Sequence, residues 1–347
     1  MIKSLHIENY RCFSDLQLSD LKTLNLIVGE SGSGKTAFLE ALFMAGGTSP
    51  EIFFRTRGWR GFPDRVEIVG GKSGYESIFR DLFHAFDQEQ GILIRFTDSQ
   101  SGERWLKIYY EESGSFTLPL GKLSSIGSAT PISFEWKGGS GQRHLAKVEV
   151  TDEGIKTSGF RDIYPIVFIS HQTSNPKENA KRFSELSKQM RHQAVVSAVK
   201  ELFPEIKGIS VEVNAGEVML YASVQDLGER LPLAVFSGGI NKYLSVLLAI
   251  ATTRDGVVLI DEIENGFYYK TMSRILQSIF SFAQANSVQL FATTHSYELQ
   301  QALLSIVKDN EDDVLLLRAE RDGASTRIKR ISGQSYRSAI ELNLEVR

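Results

Sequence analysis

The chain has 347 residues, of which 42% are apolar and 23% are charged, and its formal net charge is −3. These values are typical of a soluble globular protein with a substantial core, and they argue against a protein that coats nucleic acid by bulk electrostatics. Cys12 is the single cysteine, which excludes an internal disulfide and a cysteine-based zinc site. There is no signal-peptide run and no apolar stretch of roughly 18 residues, so we expect a cytoplasmic protein.

Short runs of alternating apolar and polar residues predict strands over the first 28 residues, and a helix is predicted over Thr36–Met44. Between about residues 50 and 160, short apolar runs separated by glycine and serine predict a strand-rich excursion with long loops. The charged segment Lys177–Phe203 is predicted to be helical. It has no sustained heptads, so we expect no long coiled-coil arm.

The C-terminal half alternates between strand and helix signals. Strands of this kind, separated by helices, predict a largely parallel sheet covered on both faces. The predicted strands are Tyr164–Ser170, Val257–Ile260, Val288–Ala292 and Val314–Leu317, and the predicted helices lie around Ile240–Ala251, Met272–Ala283 and Tyr297–Val307.

A glycine-rich turn between the third strand and the first helix matches the pattern G-x-x-x-x-G-K-[ST]. Glycines let the backbone turn its N–H groups toward phosphates, and the helix N-terminus adds a favourable dipole. Lys35 is predicted to reach the β- and γ-phosphates, and the Thr36 hydroxyl to ligate Mg²⁺. The predicted phosphate-binding residues are Gly29, Ser31, Gly32, Ser33, Gly34, Lys35 and Thr36.

The apolar strand Val257–Ile260 is followed directly by Asp261 and Glu262. A buried parallel strand delivers its C-terminal residues to the edge of the sheet where ligands bind. Asp261 can then hold Mg²⁺ through water, while Glu262 orients and deprotonates the attacking water. The alternative is a strand that ends at the surface, where acidic residues are common. The phosphate loop elsewhere in the chain favours the functional interpretation.

Ser237, Gly238 and Gly239 open a predicted helix. A serine there can be a plain helix cap, or the free N–H groups can form a second anion site. The order of motifs favours the second: phosphate loop, Ser-Gly-Gly, strand with Asp-Glu, then Thr293-Thr294-His295-Ser296 after another strand.

These motifs resemble the ABC-type ATPases, in which Ser-Gly-Gly is the signature motif and the late histidine, here His295, is the switch residue. The opening Ile7–Phe13 is similar to the start of SMC- and RecF-like ATPases. The segments 261–266 and 291–296 resemble the ATPase half of the overcoming-lysogenisation-defect (OLD) group. The signature Phe-Ser-Gly-Gly-Ile departs from the Leu-Ser-Gly-Gly-Gln of transporters. No TOPRIM nuclease domain follows, so we expect any nuclease to act in trans.

The resemblance implies a P-loop NTPase with an ABC-ATPase-like mixed sheet flanked by helices, formed by one domain over 1–347. Within it we expect the strand-rich excursion at 50–160 and a short helical lobe at 174–250 that carries the signature. It further implies ATP and Mg²⁺ as cofactors, with ATP held between two subunits in a homodimer or higher oligomer. Catalysis is assigned to Lys35, Glu262 and His295 of one chain, which would face Ser237–Gly239 of the other. Gln172 is a candidate for coupling metal and water to the helical lobe, with an ordinary polar loop residue as the alternative.

Two functions of different classes follow. The first is an ATP-driven switch that acts on nucleic acid or on a trans-acting effector such as a TOPRIM-like nuclease, in phage defence or DNA repair, without a membrane. The second is the ATPase subunit of a membrane transporter.

The segment Arg55–Arg65 interleaves arginines with aromatic residues. It suits a phosphate-binding or partner-binding surface and loop packing equally well.

Overall fold

The computed structural model describes residues 1–62, 72–111, 116–117, 128–129, 131–151, 154–156, 162–171, 175–214 and 216–342. Its strands are β1 (Ile2–Tyr10), β2 (Phe13–Ser19), β3 (Leu24–Val28), β4 (Ile92–Asp98), β5 (Gly102–Tyr110), β6 (Phe116–Thr117), β7 (Ser128–Ala129), β8 (Ile132–Lys137), β9 (Arg143–Thr151), β10 (Gly154–Lys156), β11 (Ile166–Ile169), β12 (Ile206–Asn214), β13 (Glu217–Val224), β14 (Leu231–Pro232), β15 (Val257–Ile260), β16 (Gln289–Thr293), β17 (Val314–Asp322) and β18 (Ser325–Ser332). Its α-helices are α1 (Lys35–Ala45), α2 (Glu51–Trp59), α3 (Lys72–Arg80), α4 (Pro176–Lys188), α5 (His192–Leu202), α6 (Gly238–Thr253), α7 (Met272–Ala285), α8 (Tyr297–Val307) and α9 (Gly333–Glu341).

The chain folds into two compact units that are discontinuous in sequence. Unit 1 consists of Met1–Leu21, Glu30–Tyr164 and Ala319–Lys329, and unit 2 of Lys22–Gly29, Pro165–Arg318 and Arg330–Arg347. The interpretation of the chain as one ATPase domain with an excursion and a helical lobe stays a prediction.

Unit 1 is built on an antiparallel sheet of order β10-β9-β8-β5-β4-β1-β2. The predicted N-terminal strands are confirmed, and β1 pairs with both β2 and β4. The segment expected to be strand-rich begins with two helices, α2 and α3. In α3 the buried residues Tyr75, Ile78 and Phe79 recur at helical spacing, which explains why this segment forms a helix. Helix α1 of the phosphate loop also belongs to unit 1, where the Trp136 indole N–H donates to the Met44 carbonyl, 3.1 Å away.

Unit 2 carries the predicted parallel sheet, whose strands lie in the order β11-β15-β16-β3-β17. The pairs from β11 to β17 are parallel, so β11, β15, β16 and β3 end at the same edge. Strands β11, β15 and β16 are each buried or half-buried along their length. They therefore read as apolar runs in the sequence rather than as alternating patterns.

The helices of unit 2 close its main hydrophobic core against this sheet. The inner residues of α6, α7 and α8, such as Leu247, Ile279 and Leu303, belong to one cluster of buried side chains. The predicted helical segment after residue 176 forms two helices, α4 and α5, which meet at a tight turn where Met190 has a φ of 58°. A separate sheet of order β12-β13-β14 completes the unit. None of the helices in the described ranges is both long and apolar enough to cross a membrane.

Candidate functional site

The phosphate loop leaves β3 and enters α1 without a break, as the pattern requires. Gly34 is the N-terminal capping residue of α1 and has a φ of 92°, in the left-handed region that favours glycine. A Cβ at Gly34 would also collide with the Cys12 sulfur. The Gly34 carbonyl accepts the N–H of Phe38 at 2.9 Å, so the helix starts immediately at the loop. Both steric and backbone reasons therefore require glycine at this position.

Two side chains of the loop show that it suits an anion. Lys35 is 4% exposed, and its ammonium donates to the carbonyl of Glu30 at 2.8 Å, across the loop. Ser33 is 3% exposed, and its hydroxyl has no hydrogen-bond partner among the described residues. A buried hydroxyl without a partner is costly, and a phosphate oxygen would supply the acceptor. Thr36 is half-buried in the first turn of α1.

Asp261 and Glu262 follow β15 at the carboxyl edge of the unit 2 sheet, and the adjacent strand β16 orients them. The hydroxyl of Thr293, at the end of β16, donates to Asp261 Oδ1 at 2.7 Å. The same hydroxyl accepts the backbone N–H of Glu262 at 2.8 Å. Asp261 and Thr293 are both buried. One threonine therefore holds both the carboxylate predicted to bind Mg²⁺ and the backbone of the predicted base.

Glu262 has a backbone conformation that is unusual for its residue type. Its φ is 47°, and Asn265 donates its side-chain amide to Glu262 Oε2 at 2.6 Å. Strained backbone of this kind is concentrated at functional sites. The predicted switch residue His295 is exposed, and its backbone N–H donates to Glu264 Oε1 at 2.8 Å. Glu264 therefore joins the turn after Glu262 to the loop that carries His295.

The loop after β11 approaches the same carboxylate. His171 lies with Nδ1 3.4 Å from Asp261 Oδ2, and its side chain is partly exposed. The neighbouring Gln172, predicted from the sequence as a coupling residue, lies outside the described residues.

Ser237 caps α6, as the plain structural interpretation expects. Its hydroxyl accepts the N–H of Ile240 at 3.4 Å. The two glycines that follow differ sharply. Gly239 is buried, and a Cβ there would collide with the carbonyl of Gly266, whereas Gly238 is exposed and a Cβ there would meet nothing within 4 Å. Packing inside the subunit explains glycine at 239 but does not explain it at 238.

Lys242 lies one turn into α6 and was not recognised from the sequence. Its ammonium donates to the carbonyls of Ser170 at 3.0 Å and Asp261 at 3.1 Å. Burial lowers the pKa of Lys242 to about 8, although the carboxylates of Asp261, Glu262 and Glu264 favour its charged form. The signal in the sequence was a single charged residue in the 16-residue helix GGINKYLSVLLAIATT.

Arg57 and Arg60 of the segment Arg55–Arg65 are engaged in contacts within unit 1. Arg60 makes a bidentate pair with the buried Glu40 of α1, at 2.7 and 2.9 Å. Arg57 donates to Asp81 at 2.9 Å and lies over the ring of Phe62. Arg65 lies outside the described residues. For Arg57 and Arg60, structural packing is the explanation that the contacts support.

Comparison with known proteins identifies related sequences and folds. A family model described as AAA domain (AAA_23) matches residues 4–331. A Helicobacter pylori protein named ATP/GTP phosphatase is 25% identical over 90% of both chains. A DNA replication and repair protein RecF from Idiomarina loihiensis is 34% identical over 31% of this chain and 26% of its own length. The SMC head domain from Pyrococcus furiosus, solved with an extended coiled coil and bound to the C-terminal domain of ScpA, superposes with a TM-score of 0.50 at 12% identity. The superposition covers 99% of both chains.

Proposed function

Since the chain belongs to the AAA domain family and is an ATPase of the SMC/RecF type with a P-loop NTPase fold, we propose that it is a nucleotide-driven switch. In this switch, two copies of the chain pair when ATP is bound, and hydrolysis separates them. The pairing exposes or hides a surface that an effector recognises.

The observation that carries this proposal is the contrast between the two signature glycines. Gly239 packs against Gly266 of its own chain, while Gly238 and Ser237 are exposed at the start of α6. The first N–H groups of a helix have no intrahelical partner and attract anions. A second subunit that brings Ser237–Gly239 to the γ-phosphate would use this exposed turn, and a side chain at 238 would obstruct it.

The proposed roles of the remaining residues follow from their positions. Lys35 and the loop Gly29–Thr36 bind the phosphates, and Ser33 supplies its unpartnered hydroxyl. Glu262 accepts a proton from the attacking water, and His295 contacts the reacting phosphate region from the end of β16. Mg²⁺, held by Thr36 and by Asp261, would neutralise phosphate charge in the transition state.

We propose that the effector acts in trans and processes nucleic acid, with a TOPRIM-like nuclease as the specific candidate and phage defence or DNA repair as the setting. The names of the relatives support the nucleic-acid part of this proposal, because several of the partial matches are named DNA replication and repair protein RecF. The match over nearly the whole chain, to an ATP/GTP phosphatase, supports hydrolysis as the activity that drives the switch.

The test compares two variants by hydrolysis, nucleotide binding and mass in solution. Lys35→Ala should lose hydrolysis and bind ATP weakly, because the cation that faces the phosphates is gone. Glu262→Gln should bind ATP with Mg²⁺ and fail to hydrolyse it. Its mass in solution should be that of two chains with ATP and that of one chain with ADP. Wild-type turnover in either variant would refute the assigned roles. A Glu262→Gln chain that binds ATP and stays single would refute the switch. Purification of the chain with a membrane permease would instead support the transporter alternative.

A further inference from the structure

Lys242 is a buried cation inside a helix that is otherwise without charge. It is 5% exposed, and both of its described hydrogen bonds go to backbone carbonyls, those of Ser170 and Asp261. A methionine would fill the same space without the cost of desolvating an ammonium group. What the lysine adds is the connection between its helix and these two carbonyls.

The two carbonyls mark the ends of neighbouring strands. Ser170 follows β11 and Asp261 follows β15, and the N–H of Asp261 donates to the carbonyl of Ile169 at 2.9 Å. Ser170 directly precedes His171, whose ring approaches the Asp261 carboxylate. Lys242 therefore binds the backbone of the residues that directly follow β11 and β15, at the carboxyl edge of the sheet.

Lys242 also lies close to the signature turn Ser237–Gly239, which forms the N-terminus of α6. Lys242 is three residues after Gly239, about one helical turn away. A second contact ties the turn to the same region, because a Cβ at Gly266 would lie 2.8 Å from the Gly239 nitrogen. The signature is thus connected to the segment 261–266 at two points, by the ammonium of Lys242 and by close backbone packing.

We propose that Lys242 is a positioning residue that transmits the state of the signature turn to the hydrolytic carboxylates. It does so by fixing α6 to the backbone of Asp261 and of the residue before His171. When a partner's nucleotide engages Ser237–Gly239, the small shift of α6 moves the Asp261 backbone with it. This inference rests on the proposed function, since it requires pairing through the signature.

The experiment measures ATP hydrolysis as a function of protein concentration in wild type and in Lys242→Met. In the wild type, the rate of ATP turnover per chain (kcat at that protein concentration) should rise with protein concentration as pairs form. In Lys242→Met, we expect kcat at saturating protein to fall about 10- to 100-fold, in the range seen when supporting residues behind catalytic ligands are removed. The KM for ATP should stay within about threefold. In the Glu262→Gln background, Lys242→Met should still form the ATP-dependent pair.

Lys200→Met is the matched control, because Lys200 is an exposed lysine on α5 of the same unit. Its kcat and concentration dependence should equal those of the wild type. If Lys242→Met does not fold, as judged by its unfolding temperature, Lys242→Gln replaces it. Glutamine keeps one donor group but is too short to reach both carbonyls, and the same criteria apply.

Two results would overturn the inference. One is a folded Lys242 variant whose kcat rises with concentration as in the wild type. The other is a parallel loss of ATP binding, pairing and thermal stability, which would make Lys242 a structural residue only. If the wild type itself shows no concentration dependence and Glu262→Gln forms no pair, the proposed function fails.

Discussion

Mixing two inactive variants tests directly whether the signature turn acts on a partner's nucleotide. Lys35→Ala removes the phosphate-facing cation, and Gly238→Glu places a carboxylate on the signature turn. Gly238 is exposed, and a Cβ there meets nothing within 4 Å, so the glutamate should fit without disturbing its own chain. Surface changes of this kind usually alter the free energy of unfolding by less than about 0.5 kcal/mol.

The expected magnitudes follow from charge and symmetry. A carboxylate brought to about 4 Å from one phosphate charge costs about 4 kcal/mol at an effective dielectric constant of about 20, which is a roughly thousandfold loss of pairing. In a symmetric pair the two chains form two equivalent sites. Only a mixed pair contains an intact site, one of its two, so an equimolar mixture should regain about a quarter of the wild-type activity if the chains pair at random and at most about half if every pair is mixed.

The assay is phosphate release from each variant alone and from the equimolar mixture, with pairing followed by light scattering. Each variant alone should be inactive, and the Gly238→Glu chain should still bind ATP as a single subunit. The reasoning fails if mixed pairs form and no activity returns. It also fails if Gly238→Glu alone hydrolyses ATP at the wild-type rate, because then no partner uses the signature turn.

Two further predictions concern the support of the site and of the phosphate-loop helix. Thr293→Val removes the hydroxyl that donates to the Asp261 carboxylate, so Mg²⁺-dependent kcat should fall about 10- to 100-fold. A Mg²⁺ titration checks this, with Thr252→Val as the control: the described hydrogen bonds of the Thr252 hydroxyl go to carbonyls of its own helix, so kcat should stay within about twofold. Equal titrations for both valine variants would refute it. Glu40→Gln removes the buried carboxylate that pairs with Arg60 at 2.7 Å and with Arg11 at 3.3 Å, so it should lower the free energy of unfolding by about 3 kcal/mol. Urea unfolding measures this loss, and the exposed pair at Glu217→Gln should lose at most about 1 kcal/mol. A loss at Glu40 no larger than at Glu217 would contradict this reasoning.

The sequence by itself determined the features whose causes are local. The phosphate loop could be recognised because its glycines, its lysine and its flanking strand and helix are contiguous, and Gly34 has the positive φ that the pattern implies. The strands of the parallel sheet were visible as apolar runs because both faces are covered. The carboxylates after β15 could be placed at a sheet edge because parallel strands end together. Helix α8 was predicted with its observed bounds, Tyr297–Val307.

The tertiary structure decided which residues support these motifs. Thr293 reaches Asp261 only because β16 lies beside β15, with all of α7 between them in the chain. In the sequence Lys242 is a single charged residue in an apolar helix, and only the fold shows that its ammonium binds the carbonyls of Ser170 and Asp261 at two strand ends. Gly239 and Gly266 are 27 positions apart, and only the packing shows that their backbones lie too close together for a Cβ at either position. Periodicity and propensity act over a few residues, whereas these contacts depend on which strands become neighbours, and that is settled by burial of the whole core.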